Sequence, residues 1–183
     1  MSRAVKTLLF VTILAGLCAW LYWFVKQRVT VKVAHQFLDA IQSKDWETVT
    51  KFLHPVEREK LRLTSEQIKS IGENLILPLW QRLGNYSELN QKENPFLPST
   101  EEEERYFKDF RFFRVLRGDK EGAVILVTKT KEGWRVNFSL FVYTLLAEAA
   151  ERGQLHHEQI KLILRQAGIF QIFVGQEGAF LSP

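Results

Sequence analysis

Of the chain's 183 residues, 46% are hydrophobic and 25% charged, proportions of a folded protein with a packed core rather than of a disordered or collagen-like chain. The length beyond the first 25 residues suits one domain and is short for two. The net charge of +4 includes Arg3 and Lys6, ahead of an apolar stretch, so charge alone does not call for a polyanionic partner. The single cysteine, Cys18, falls inside that stretch, which excludes disulfides, thiolate metal sites and a cysteine nucleophile from the domain.

The stretch at residues 7–25, TLLFVTILAGLCAWLYWFV, holds 19 residues without a charge. At about 1.5 Å per residue that is about 28 Å, the thickness of a bilayer's hydrocarbon. Trp20, Tyr22 and Trp23 crowd its carboxyl end and Lys26 and Arg28 follow, the order of an exit interface. Large aromatics stand where a cleaved signal peptide needs small residues, so the segment is predicted to stay attached as an anchor. Arg3 and Lys6 on one side nearly balance Lys26, Arg28 and Lys32 on the other. A short leading tail before a large trailing domain then places the domain outside the cytoplasm.

In the domain, Ala34, Phe37, Leu38 and Ile41 recur at helical spacing and predict one helix over 30–43. Asp45 caps a second, with Trp46, Val49, Phe52 and Leu53 apolar, which Pro55 stops. Thr64 and Gln67 form a capping box for a third, carrying Ile68, Ile71 and Leu75, which Pro78 should kink or end. Tyr86 to Lys92 reads as a strand, and 94–104, with four consecutive glutamates, as an exposed loop. Gly118-Asp119-Lys120-Glu121-Gly122 is a hairpin connection into the β-branched strand at 123–130. After a turn at 131–133, Trp134, Val136 and Phe138 share one face of a last strand. Ser139 is expected to cap a helix with Phe141, Leu145, Leu146 and Ala149 buried, ending at Gly153, and another helix covers 155–167. The divisions are then 1–28 (tail and anchor), 29–153 (domain) and 154–183 (carboxyl-terminal helix and apolar tail).

Helices followed by an antiparallel meander predict an α+β domain, with helices packed on a curved antiparallel sheet. The run Ala34-His35-Gln36-Phe37-Leu38-Asp39-Ala40-Ile41-Gln42-Ser43-Lys44-Asp45-Trp46 resembles the opening of nuclear transport factor two-like domains, as do Leu53-His54-Pro55 and the turn and strand at 131–138. The resemblance covers roughly 30–140. It implies a cystatin-like cone that holds a small ligand, catalyses, or serves as an assembly part. With the anchor, the architecture is similar to that of inner-membrane scaffold subunits of type IV secretion machines.

Candidate chemistry is sparse. His35 and Asp39, at i and i+4, could form an acid/base pair. They point away from the apolar stripe, so a solvated pair is the expectation and a cone-fold enzyme using both is an alternative. His54 is expected to cap the carboxyl end of the second helix. His156 and His157 diverge by about 100° on a helix and do not chelate. Arg105, Lys108, Arg111, Arg114 and Arg117 lie among aromatics, but on a strand this period scatters charge over both faces. Nucleic acid is therefore disfavoured, and if the segment flanks the cone's mouth these arginines could instead meet Glu101 to Glu104 or a partner's acids. No phosphate loop, nucleophile elbow or carboxylate cluster appears, so no catalytic residue, metal or cofactor is assigned.

The expected function is non-enzymatic: a membrane-anchored binding or scaffold domain of a bacterial envelope, held by residues 7–25, with a protein partner or a second copy. A small apolar ligand in a pocket of Phe37, Ile41, Phe52, Trp80 and Trp134 is the alternative. Ile169, Phe170, Ile172 and Phe173 are the candidate partner interface, since an apolar end needs cover.

Overall fold

The computed structural model describes residues 3–93, 109–156, 159, 160, 162 and 163, without the side chains of 3–9, 22–24, 26 and 27. Two compact units divide at Lys32 and Val33. One helix, α1 (Arg3–Gln42, 40 residues), belongs to both. No helix of the described residues is long and apolar enough to cross a membrane; within 7–25 the described side chains are those of 10–21 and 25.

The second unit is α+β. After α1 come α2 (Trp46–Phe52), α3 (Pro55–Lys60), α4 (Ser65–Ile71), a π-helical turn (Gly72–Ile76) and α5 (Leu77–Leu83). Strands β1 (Glu88–Lys92), β2 (Phe110–Arg117), β3 (Lys120–Thr130) and β4 (Gly133–Val136) follow, then α6 (Phe138–Glu151). The sheet is antiparallel in the order β1-β2-β3-β4, with a bulge between Arg114 and Leu116.

The predicted stripe of α1, Ala34, Phe37, Leu38 and Ile41, is wholly buried. Asp45 caps α2, its Oδ1 accepting from the Thr48 N–H at 3.0 Å. The Thr64/Gln67 box forms in both directions. Pro78 does not end the helix but widens it. Proline lacks an N–H and its ring crowds the carbonyl four residues back, and the turn before α5 relaxes to a π-helix in which the Leu77 N–H reaches Gly72 O. Gly72 must be small there, because a Cβ would lie 2.1 Å from the Trp46 ring.

Four expectations are corrected. The hairpin turn is two residues, Gly118-Asp119, since Arg117 pairs with Lys120 and the strand already includes Lys120 to Gly122. Phe138 lies in α6 rather than in the last strand, and Asn137 rather than Ser139 is the cap, its Oδ1 accepting from the Leu140 N–H at 2.8 Å. Third, the helix over 30–43 is the end of the longer α1. Last, His54 caps the start of α3, not the end of α2: Pro55 opens a new helix at once, and His54 Nδ1 accepts from the Val56 N–H at 3.3 Å. Of the helix at 155–167, the described residues 159, 160, 162 and 163 are helical.

The α2–α3 corner is tied to the β4–α6 junction. Leu53 bridges to Val136, and the His54 N–H donates to Val136 O at 3.0 Å. Buried Glu57 accepts from the Phe138 and Ser139 N–H groups at 2.8 and 3.0 Å. Burial pushes the Glu57 carboxyl up, and hydrogen bonds from Ser139 and Phe138 pull it back. With Asn137, these bonds satisfy three of the donors that open α6.

Burial, and then the Arg58 charge, hold the His54 imidazole below the ordinary value of 6.5, the neutral state a ring-nitrogen cap requires. A lowered folded-state pKa contributes stability that is complete above about pH 6.5 and lost as pH falls through the folded value. His54→Asn keeps an acceptor without a titrating ring. Between about pH 7 and pH 5 its unfolding temperature should therefore fall less than that of the parent; parallel pH profiles in calorimetry would contradict the cap.

Candidate functional site

The polar residues gathered by the fold lie where α5, the β2–β3 hairpin and α6 meet. Arg117 ends β2 on the face shared with Phe113 and Val115, all three buried. Its Nε donates to Glu148 Oε1 at 3.1 Å, Nη1 donates to the Gly84 carbonyl, and its guanidinium carbon sits 4.1 Å from the Trp80 ring centroid. The pair is out of water, with side chains 3% and 2% exposed. Burial lowers the Arg117 pKa and Glu148 draws it back. Arg152, one turn on, brings Nη2 to 2.7 Å from Glu148 Oε1. The other carboxylate oxygen accepts from the Ala123 N–H at 2.9 Å.

The shape of β3 explains why a helix side chain reaches strand backbone here. Strand β4 pairs with β3 from Val127 to Thr130, so β4 leaves the earlier half of that edge unpaired. Helix α6 runs along it. The Asn137 N–H donates to Leu126 O at 2.9 Å, Thr144 Oγ1 accepts from the Val124 N–H at 2.9 Å, and Glu148 takes the Ala123 N–H. The four-residue step from Thr144 to Glu148 advances about 6 Å and keeps both on one helix face. Gly122 is required by this approach, since a Cβ there would lie 2.4 Å from the Glu148 carboxylate.

Beside this network stands a second polar group. Tyr86, in the loop after α5, packs edge-on against Trp80 at 6.0 Å between centroids and reaches α1. Its hydroxyl donates to Asp39 Oδ1 at 3.4 Å and lies 3.4 Å from His35 Nδ1. Burial, then the Asp39 charge, raise the Tyr86 pKa, so the phenol stays protonated and acts as a donor. His35 is half-buried and Asp39 exposed. Tyr86 thus spans the i, i+4 pair as a clasp between α1 and the α5–β1 loop.

Of the five apolar candidates, Phe37 and Ile41 are wholly buried and Trp80 is 3% exposed. Phe37 and Trp80 both pack on Phe141, at centroid distances of 5.2 and 6.3 Å. Phe52, at the end of α2, and Trp134, on β4, are half-buried. Among the basic residues, Arg114 Nη1 donates to Gly122 O at 3.2 Å with Nε 3.8 Å from Glu121, Arg111 Nη1 donates to Phe110 O, and Arg117 meets Glu148. Arg105, Lys108, Glu101 to Glu104 and the candidates Ile169, Phe170, Ile172 and Phe173 lie outside the described residues.

Tyr86, Glu148 and Glu57 were not singled out by sequence reasoning, and Arg117 was named only as one of a basic series, although two of the four carried a signal. Glu148 falls at i+7 from Phe141 and i+3 from Leu145, on the buried stripe, and Arg117 continues the period-two face of Phe113 and Val115. No group of His, Cys, Asp or Glu among the described residues could hold a metal ion.

Glu148→Ala removes the counter-charge of a buried arginine and should cost about 3–5 kcal/mol in urea unfolding. Phe37→Ala should cost about 3–5 kcal/mol as a core truncation. His35→Ala and Asp39→Ala should stay within about 0.5 kcal/mol. A Glu148 variant as stable as the Asp39 variant would show that the buried network holds nothing together. No family model, curated protein or solved structure matches this chain.

Proposed function

We propose that this chain is a single-pass membrane protein whose α+β domain, a cone of the nuclear transport factor two-like kind, lies outside the cytoplasm and works by binding other proteins as a scaffold or subunit, without catalysis of its own. The observation that carries the anchor is the surface of α1. Phe10, Val11, Ile13, Leu14, Leu17, Trp20 and Leu21 are each 50–66% exposed, and Thr12, Ala15, Gly16 and Ala19 complete the circumference without a charge. Leaving that surface in water forgoes on the order of 5–10 kcal/mol. A helix apolar on every side belongs in a protein core or a bilayer, and the uncharged run in the sequence has the length of the latter.

Two features support binding over catalysis. Phe37 and Trp80, two of the side chains an apolar pocket would need to leave open, instead pack on Phe141 in the core. The half-buried histidine faces a phenol that stays protonated, not a carboxylate that would make it a stronger base.

In fractionation, the full chain should remain with membranes through high salt and alkaline carbonate, and a chain lacking residues 1–28 should not. External protease should digest the domain in intact cells whose outer layers have been removed. Release of the full chain by carbonate would overturn the anchor, and protection of the domain would reverse its orientation.

A further inference from the structure

Strand β1 is an edge. Among the described residues it pairs with β2 alone, and Glu88, Asn90, Gln91 and Lys92 are exposed, with Leu89 half-buried. Edge strands are usually blunted by a proline, a bulge, extreme shortness or charged side chains. Here the five residues pair in unbroken register from Glu88 opposite Leu116 to Lys92 opposite Phe112, and the charges stand only at the two ends of the strand, Glu88 and Lys92. The backbone therefore offers a regular row of hydrogen-bonding groups on its outer side.

The five residues are self-complementary. Set antiparallel to a second copy about Asn90, Glu88 opposes the partner's Lys92, Leu89 opposes the partner's Gln91, and Asn90 opposes itself. Glu88, Asn90 and Lys92 share one face of the sheet, so each ion pair forms between directly opposed neighbours, the arrangement that stabilises cross-strand pairs. A slip of one residue in one direction would set Glu88 against the partner's Glu93, where like charges repel, and in the other would set Glu88 against the partner's Gln91 and lose the ion pair. Lys92 also holds Glu121 of its own chain, with Arg114 alongside, so Glu88 would arrive at an edge carrying two cations and one anion.

We propose that β1 is a homodimer interface, through which two copies pair edge to edge around a two-fold axis at Asn90 and join two four-stranded sheets into one of eight. An isologous contact of this kind closes on itself and does not propagate into fibres. The proposal rests on reading the domain as an interaction module and names its first partner, a second copy of this chain. It does not depend on the anchor.

Register-specific cross-linking tests it in the full chain, in detergent, with Cys18→Ser as background. Opposed residues of an antiparallel pair have Cα atoms about 4.5–5.5 Å apart, within disulfide reach of about 4.4–6.8 Å. Asn90→Cys should therefore form a covalent dimer under mild oxidation. In the same pairing, residue 88 of one copy lies about 13 Å along the strand from residue 88 of the other, so Glu88→Cys should not. Glu88→Lys, which sets lysine against lysine twice per dimer, should weaken self-association roughly tenfold in sedimentation. Failure of Asn90→Cys to cross-link, equal cross-linking at both positions as anchor-driven association would produce, or unchanged association of Glu88→Lys would each overturn the interface. A chain that is monomeric yet stays in membranes through carbonate would sink this proposal and leave the anchor standing.

Discussion

The domain depends on how α6 closes the side of β3 that β4 is too short to reach. Strand β3 is buried from Gly122 to Thr128, and an unpaired backbone in that setting would be costly. Helix α6 supplies the missing partners from Asn137, Thr144 and Glu148. Its apolar stripe meanwhile sets Phe141 against Phe37 of α1 and Trp80 of α5. Glu148 joins the two roles. One carboxylate holds the start of β3, the end of β2 through Arg117, and Arg152 of its own helix turn. Such a cluster is a weak source of net stability, because desolvating the charges offsets most of their attraction. Its effect is to penalise any arrangement of strand and helix that leaves one charge without the other.

Much of this was legible in the sequence where the cause was local. The spacing of Ala34, Phe37, Leu38 and Ile41 gives the buried face of α1, and Asp45 and Thr64 mark helix starts, because period and capping act within a few residues. The α+β class and the antiparallel meander follow from the order of patterns. Errors arose where two local signals compete. His54 sits between a helix end and a proline that opens the next helix, and Asn137 and Ser139 are both fit to cap α6. Only the tertiary junction, with Glu57 arriving from 81 residues away, places the boundary. The Arg117–Glu148 pair was hidden for a related reason. Charged residues on apolar stripes read as boundary positions until a partner 31 residues distant is brought to them.

The polar residues of the domain are spent on architecture. Glu57 caps α6, Glu148 and Arg117 lock α6 to the hairpin, and Tyr86 clasps His35 and Asp39 on α1. That economy is consistent with the binding role proposed above. The uncharged run of 19 residues in the sequence and the apolar side chains exposed along 10–21 are joined in the proposed account, in which α1 starts as an anchor, while its last turns are buried in the domain's core.

The most direct test of that account uses the chain's own cysteine. Cys18 is exposed on the helix surface, so in water its thiol would react freely. In native membranes, a charged maleimide added to the full chain should leave Cys18 unlabelled until the bilayer is dissolved in denaturing detergent. Rapid labelling in intact membranes would contradict the account, because it would place the middle of the apolar helix in water.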